Sequence, residues 1–273
     1  MEDLFYLMIR PTVACFILTG IHAYLGLHVV ERGVIFVDLA LAQLAAFGAI
    51  FGIAVGFSLH SGQSYVLSLT FATLGAALFA GTRKRKPIIP HEAIIGVVYA
   101  VAASGAVLIL SKMPQGGEEL KNLLVGHLLF ISWEEITKIA IIYALIGAFH
   151  YFVRARMFLV SRNPDLAYEQ GISVRLWDFL FYLSLGVIVT SSVEVAGVLL
   201  VFCFLVVPAL CGIICARSDR GRLLVAWTVG VVSTILGMLA SYHFDLPTGA
   251  VMAVVLGLSL LVLSLVRSLN YSS

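Results

Sequence analysis

Apolar residues occur along this chain in long unbroken stretches, and short polar segments separate one stretch from the next. A helix needs about 20 apolar residues to cross the hydrocarbon core of a bilayer. Nine stretches are long enough, or nearly so: 11–30, 34–57, 65–81, 92–111, 135–153, 176–192, 195–216, 223–240 and 248–267. The sixth is short and is separated from the seventh only near residues 193–194, so eight spans and a half-span are the alternative. The pattern predicts an all-α fold, a polytopic membrane helical bundle of eight to nine transmembrane helices.

Composition supports one membrane-embedded domain over residues 1–273. Of the 273 residues, 61% are hydrophobic and only 12% are charged, whereas a soluble domain carries about a quarter charged residues. No long linker and no convincing internal repeat is present, and the first span is expected to act as an uncleaved insertion signal. The four cysteines fall inside apolar runs, which favours small buried hydrophobes over a disulfide framework: Cys15, Cys203, Cys211 and Cys215.

The distribution of charge predicts the topology. Basic residues concentrate in three segments, each separated from the next by two predicted spans: 83–86, 154–175 and 217–222. The intervening loops are neutral or acidic: 58–64, 112–134 and 241–247. Because lysine and arginine accumulate in cytoplasmic loops, the three basic segments should face the cytoplasm.

The most informative segment is the polar stretch 161–175, which lies on that cytoplasmic side. Asn163 can cap a helix, Pro164 suits the first helical position, and Gly171 can end it. These signals predict a short helix outside the bilayer, of the kind that a membrane subunit offers to a soluble motor. A solvated linker is the simpler alternative.

Asp38 is the most prominent ionisable group inside a predicted span. A carboxylate at membrane depth costs at least about 2.5 kcal/mol unless it is paired or hydrated, so it should face a cavity or a partner group. The alternative is a position near the cytoplasmic headgroups, paired with Arg32. Gln43 lies deeper in the same span, on a substantially different helical face.

Other polar groups are weaker candidates. His243 and Asp245 could offer nitrogen and oxygen ligands to a transition metal, but a capped external turn ending at Pro247 is favoured. His127 is interpreted as an interfacial side chain. Pro208 interrupts the seventh span and should kink it, as a gate or as a packing bend.

Small residues recur at helical spacing in two spans, and we interpret both stripes as helix-packing faces. The first stripe lies in the second span and the second in the fourth: Ala42, Ala45, Ala46 and Ala49, then Gly96, Ala100 and Ala103.

Motifs that are absent also constrain function. The sequence contains no G-x-x-x-x-G-K-[ST] phosphate loop, so this chain is not expected to hydrolyse ATP by itself. It contains neither a G-x-S-x-G elbow nor an H-E-x-x-H pair, which argues against an intramembrane hydrolase.

Four segments, in order along the chain, resemble the membrane permease of metal-ion ATP-binding-cassette importers. They are Leu123-Leu-Val-Gly-His-Leu-Leu, Asn163-Pro-Asp-Leu-Ala-Tyr-Glu-Gln-Gly-Ile-Ser, Ala196-Gly-Val-Leu-Leu-Val followed by Val207-Pro-Ala, and Ser241-Tyr-His-Phe-Asp-Leu-Pro-Thr-Gly-Ala. The resemblance implies that residues 161–175 dock into an ATPase as a coupling helix and carries this role onto five residues: Asn163, Pro164, Asp165, Ala167 and Gly171. It also implies a gating or kink role for Gly197 and Pro208.

The resemblance has one departure, in the second span. The family typically carries an aspartate followed four residues later by a histidine, and both are implicated in handling the metal. Asp38 matches, but Ala42 stands at the histidine position. Losing the imidazole should weaken binding of borderline metals such as zinc, or shift the substrate.

The favoured hypothesis is therefore a homodimeric permease subunit in a prokaryotic plasma membrane, importing zinc, manganese or iron. A separate ATPase subunit would supply the energy, and an extracytoplasmic metal-binding protein would deliver the ion. The substrate pathway would include Asp38, Gln43, His243 and Asp245. No bound cofactor and no nucleic-acid partner are expected. A proton-coupled secondary transporter with Asp38 as carrier is the alternative, and an intramembrane enzyme is the weakest hypothesis.

Overall fold

The described part of the chain is built almost entirely of α-helices. The structure, a computed structural model, describes residues 2–58, 61–85, 88–113 and 126–271. These residues form nine α-helices and one short 3₁₀ helix, Leu128–Phe130, with no strand. The α-helices, in order, are α1 Glu2–Arg32, α2 Val37–Ala54, α3 Gly62–Thr82, α4 His91–Leu110, α5 Trp133–Arg162, α6 Pro164–Glu169, α7 Val174–Cys215, α8 Asp219–Phe244 and α9 Thr248–Tyr271. The all-α prediction is confirmed.

Eight of the described helices are long and apolar enough to cross a membrane, all except α6. The predicted stretches 176–192 and 195–216 both lie in α7, which has 42 residues. One span needs about 20 residues, so α7 contains enough residues for two spans. Its backbone leaves helical geometry inside, at Gly197. The nine apolar stretches therefore correspond to the eight long helices, because α7 contains two of the stretches.

The described residues divide into two compact units. Unit 1 comprises Met1–Val30, Val125–Ala144 and Glu194–Ser273. Within it α8 packs against α9, and α1 contacts α8 closely. The Trp227 indole N–H donates to the Gly20 carbonyl oxygen at 3.0 Å.

Unit 2 comprises Glu31–Leu124 and Leu145–Val193. Its centre is α2, which packs against α3 and α4. Gly48 allows the close approach to α3, because a Cβ atom there would lie 2.7 Å from the Leu67 carbonyl oxygen. The predicted packing stripe on α2 is confirmed at Ala42, Ala45 and Ala46, which are buried.

The prediction for α4 was wrong within the single chain. Gly96 and Ala100 are exposed, and α4 instead buries a different set: Ile95, Ala102, Ala106 and Leu110. The physical reason is the Phe47 ring of α2. A Cβ atom on Gly105 would lie 2.8 Å from that ring, so the bulky side chain on α2 selects which face of α4 can approach.

Candidate functional site

The short helix α6 forms as the sequence predicts. The Asn163 side-chain oxygen accepts a hydrogen bond from the Leu166 N–H at 3.2 Å, and Pro164 occupies the first turn. After the helix ends, Gly171 adopts a φ of +71°, the left-handed conformation that glycine provides at helix ends. Local backbone chemistry therefore fixes both ends of α6.

The underside of α6 is attached to the rest of unit 2 by apolar packing. Ala167 is fully buried and clusters with Val160 of α5 and Val174 of α7. The outer side chains Asp165 and Leu166 are exposed. The helix therefore offers a polar and partly apolar outer face on a fixed base.

Arg85, in the segment after α3, holds α6 from the side. Its Nε donates to Asp165 Oδ1 at 2.7 Å, and its Nη2 lies 4.0 Å from Glu169 Oε1. The side chains of Arg85 and Asp165 are 54% and 64% exposed. Ion pairs that exposed contribute at most about 1 kcal/mol, so they orient α6 more than they stabilise the fold.

A buried ion-pair cluster lies beneath this segment. Asp178, in the second turn of α7, accepts hydrogen bonds from Arg32 and from Arg83, the latter at 2.7 Å. The side chains of Arg32 and Asp178 are both fully buried. The Arg32 Nε also donates to the Ser161 hydroxyl at 3.0 Å, and its guanidinium lies 4.3 Å from the centre of the Phe181 ring.

The cluster joins the ends of four helices. Arg32 ends α1, Arg83 follows α3, Ser161 lies in the last turn of α5, and Asp178 belongs to α7. Since α5 leads through Asn163 directly into α6, the base of the candidate coupling helix is anchored on these buried charges.

The sequence alone did not predict this ion-pair cluster. The alternative that paired Arg32 with Asp38 is wrong, because α1 ends at Arg32 and α2 begins only at Val37, so helical spacing does not relate the two residues. The Arg32 guanidinium pairs with the carboxylate of Asp178 instead. One signal was available in the sequence. Asp178 is an ionisable residue inside the apolar stretch 176–192, and such residues mark functional or structural centres.

Asp38 lies in the first turn of α2 and is 1% exposed. Its Oδ1 has no hydrogen-bond partner among the described residues. At the same end of α2, the Phe36 N–H donates to Glu92 Oε1 at 3.1 Å, and the Leu39 N–H bonds to the Asp38 carboxylate. Gln43 is also buried, at 6% exposure. Asp38 is thus a buried carboxylate with an unused acceptor, which suits it to bind a cation.

His243 and Asp245 lie at the exposed end of α8, and the favoured interpretation as a capped turn is confirmed. Asp245 has a φ of +51° and its N–H bonds to the Ser241 carbonyl. The Ser241 hydroxyl then donates to the Leu246 carbonyl at 2.8 Å. In the part of the chain that the structure describes, no three His, Cys, Asp or Glu side chains form a group that could hold a metal.

The break in α7 occurs at Gly197 and not at Pro208, where the backbone remains helical. Gly197 has φ 75° and ψ 157°. Gly126 packs against this point, and the neighbouring His127 N–H donates to the Val195 carbonyl at 3.0 Å. This tertiary contact supplies a donor for the Val195 carbonyl, two residues before the break.

A Gly197→Ala substitution should destabilise the protein by about 1–3 kcal/mol. Its backbone conformation is essentially restricted to glycine, and a Cβ atom adds strain of that size. The measurement is the equilibrium unfolding of purified protein in mixed micelles. Gly20→Ala is the matched control, because Gly20 is helical and a Cβ atom there would meet nothing within 4 Å. Equal stability of the two variants would contradict this account of Gly197.

The fold and these features define a multi-pass membrane protein that presents a capped, anchored helix outside its long apolar helices. The model of the ABC 3 transport family matches residues 4–267, so the chain belongs to that family.

Named relatives agree with that assignment. The chain is 26% identical to a "Probable iron transport system membrane protein" of Haemophilus influenzae, covering 90% of this chain and 88% of the relative. It is 25% identical to the "Manganese transport system membrane protein MntC" of Listeria innocua, covering 85% and 80%. Among solved structures, "PsaBC from Streptococcus pneumoniae in complex with Fab" matches with a TM-score of 0.78 at 17% identity, covering 93% of this chain and 89% of that one. This last similarity concerns the fold alone.

Proposed function

We propose that this chain is the permease subunit of an ATP-driven importer of a divalent metal ion, with zinc, manganese and iron as the candidates. Two copies form the pathway, a separate subunit hydrolyses ATP, and an extracytoplasmic binding protein delivers the ion. The assembly resides in a prokaryotic plasma membrane. Membership in the ABC 3 transport family and the iron and manganese names of its relatives support the proposal.

The observation that carries the proposal is the construction of α6. Asn163 and Gly171 fix its two ends, and Ala167 fixes its underside. A helix of six residues is far too short to be stable alone in water, so the surrounding contacts hold it in place. Because the sequence has no phosphate loop, a surface built to receive a separate ATPase is the expected counterpart.

Asp38 is the residue proposed to contact the ion in the pathway. Its unused Oδ1 is an oxygen ligand of the kind that manganese and iron accept. Ala42 supplies no imidazole one turn later, which favours the harder metals over zinc. Gln43, His243 and Asp245 stay secondary candidates for the pathway.

The second candidate function is proton-coupled transport without a nucleotide. The same buried carboxylate favours it, since an acceptor without a partner in the described residues can carry a proton as well as bind a cation. The two functions differ in their energy source, which an experiment can separate.

The test is uptake of manganese, iron and zinc into proteoliposomes containing this chain with the ATPase that copurifies with it. We expect uptake that requires enclosed ATP and is abolished when Asp165→Lys and Gly171→Val are combined, because these changes disrupt the face and the end of α6. The paired control is Glu134→Gln, which neutralises an exposed acidic residue in the first turn of α5. Uptake driven by a pH gradient without nucleotide would overturn the proposal in favour of the second candidate.

A further inference from the structure

A cleft of about 430 Å³ opens beside α6. One side is formed by Arg83, Lys84 and Arg85, and the other by Tyr168 and the segment 171–175. Four of these lining residues are basic, since the segment ends in Arg175, and no acidic residue lines the cleft. Its chemistry therefore favours an anion.

Two of the four cations are already engaged by acidic residues of the chain. Arg83 donates to Asp178 and Arg85 donates to Asp165. Lys84 and Arg175 are exposed, and neither forms an ion pair or a side-chain hydrogen bond with any residue that the structure describes. Two cations thus face the cleft without a counter-charge.

The ion-paired groups beside the cleft balance one another. Arg32, Arg83 and Asp178 together carry a net charge of +1, and Arg85 with Asp165 and Glu169 carries −1, so Lys84 and Arg175 remain in excess. The first turn of α7 also lies beside the cleft, since Val174 and Arg175 line it, and the N-terminus of a helix carries a partial positive charge. An acidic group placed in the cleft would balance charges that the chain itself leaves unbalanced.

Continuity with α6 indicates where that acidic group comes from. Tyr168 belongs to α6 and Gly171 ends the same segment, yet both line the cleft. A partner seated on the outer face of α6 therefore also covers the cleft. Such a partner excludes water from the ion pairs, which strengthens them relative to exposed pairs.

We propose that this cleft receives an aspartate or glutamate side chain of the ATPase subunit, which pairs with Lys84 and Arg175. This inference rests on the proposed function and specifies the charge of the surface on which the ATPase docks. Charge pairing of this kind fixes the register of a docked partner and speeds its association. The apolar contacts of α6 would supply the remaining affinity.

The experiment measures the affinity between the copurifying ATPase and this chain in phosphatidylcholine nanodiscs, at low and at high salt. Lys84→Glu and Arg175→Glu are each expected to weaken binding about tenfold at low salt, with a smaller difference at high salt. Arg220→Glu is the matched control, an exposed arginine in the first turn of α8 that lies outside the cleft, and it should change affinity less than twofold. Thermal unfolding of each variant confirms that folding is unchanged.

A rescue test gives the strongest support. Replacing the responsible aspartate or glutamate of the ATPase by lysine should restore its affinity for Lys84→Glu or Arg175→Glu. Wild-type affinity in both variants would overturn the inference while leaving the proposed function intact. A loss of affinity seen only when phosphatidylglycerol is added would assign the cleft to a lipid headgroup and also overturn it. Failure of wild-type protein to bind any ATPase would instead refute the proposed function.

Discussion

Asp178→Asn should lower the free energy of unfolding by about 3–5 kcal/mol, the cost of removing one partner from a buried ion pair. The substitution keeps the side-chain volume but leaves Arg32, which is fully buried, without its carboxylate. Arg83 can turn toward solvent because its side chain is already 15% exposed. Equilibrium unfolding of the purified protein in mixed micelles provides the measurement.

The control is Asp165→Asn, which removes a carboxylate of the same type from an exposed pair with Arg85. Asp165→Asn should lower the free energy of unfolding by no more than about 1 kcal/mol. The double variant Arg32→Met with Asp178→Leu removes both buried charges and should recover much of the lost stability. Equal effects of Asp178→Asn and Asp165→Asn would show that the buried cluster does not anchor the helix ends.

The ends of α6 were predictable because their causes are local. An asparagine oxygen reaches an N–H three residues later, a proline ring has a φ suited to the first turn, and a glycine accepts positive φ. Each cause lies within a few residues of its effect. Asn163, Pro164 and Gly171 could therefore be assigned correctly without any knowledge of the rest of the fold.

The Asp178 cluster was not predictable in the same way because its partners are remote. Arg32 and Asp178 are 146 residues apart in sequence, and only the packing of helices brings them together. Periodicity within one segment carries no information on such a pair. The same limit produced the alternative in which Arg32 pairs with Asp38, a carboxylate close to it in sequence.

The break in α7 shows a second limit. The chemistry of proline predicted a kink at Pro208, and only the family resemblance pointed to Gly197, where the helical conformation is lost. A span can contain many glycines that stay helical, and proline fits a helix when its neighbours tolerate one missing hydrogen bond. The backbone around Gly126 and His127 selects the position of the break, and that contact is not visible in either segment alone.

Asp38→Asn should reduce ATP-driven metal uptake about thirtyfold or more, if Asp38 contacts the ion as proposed. Truncating one partner of a desolvated charge interaction costs about 2–5 kcal/mol, and each 1.4 kcal/mol is a factor of ten. Asparagine has the same shape and a neutral oxygen, so it removes charge without creating a cavity. Uptake of manganese and iron into proteoliposomes, measured over a range of ion concentrations, reports the loss. Glu134→Gln, at an exposed position in the first turn of α5, should leave uptake unchanged.

Stability separates this role from a structural one. Asp38 is 1% exposed, its Oδ1 has no partner among the described residues, and none of them forms an ion pair with it. Neutralising a buried charge that has no ion pair removes a desolvation cost, and Asp38→Asn should unfold at the same free energy as the wild type or a higher one. Asp178→Asn is expected to do the opposite. If loss of the carboxylate stops transport but leaves ATPase binding and stability intact, the carboxylate acts by binding the transported ion. Wild-type uptake by Asp38→Asn, or a large loss of stability, would remove it from the pathway.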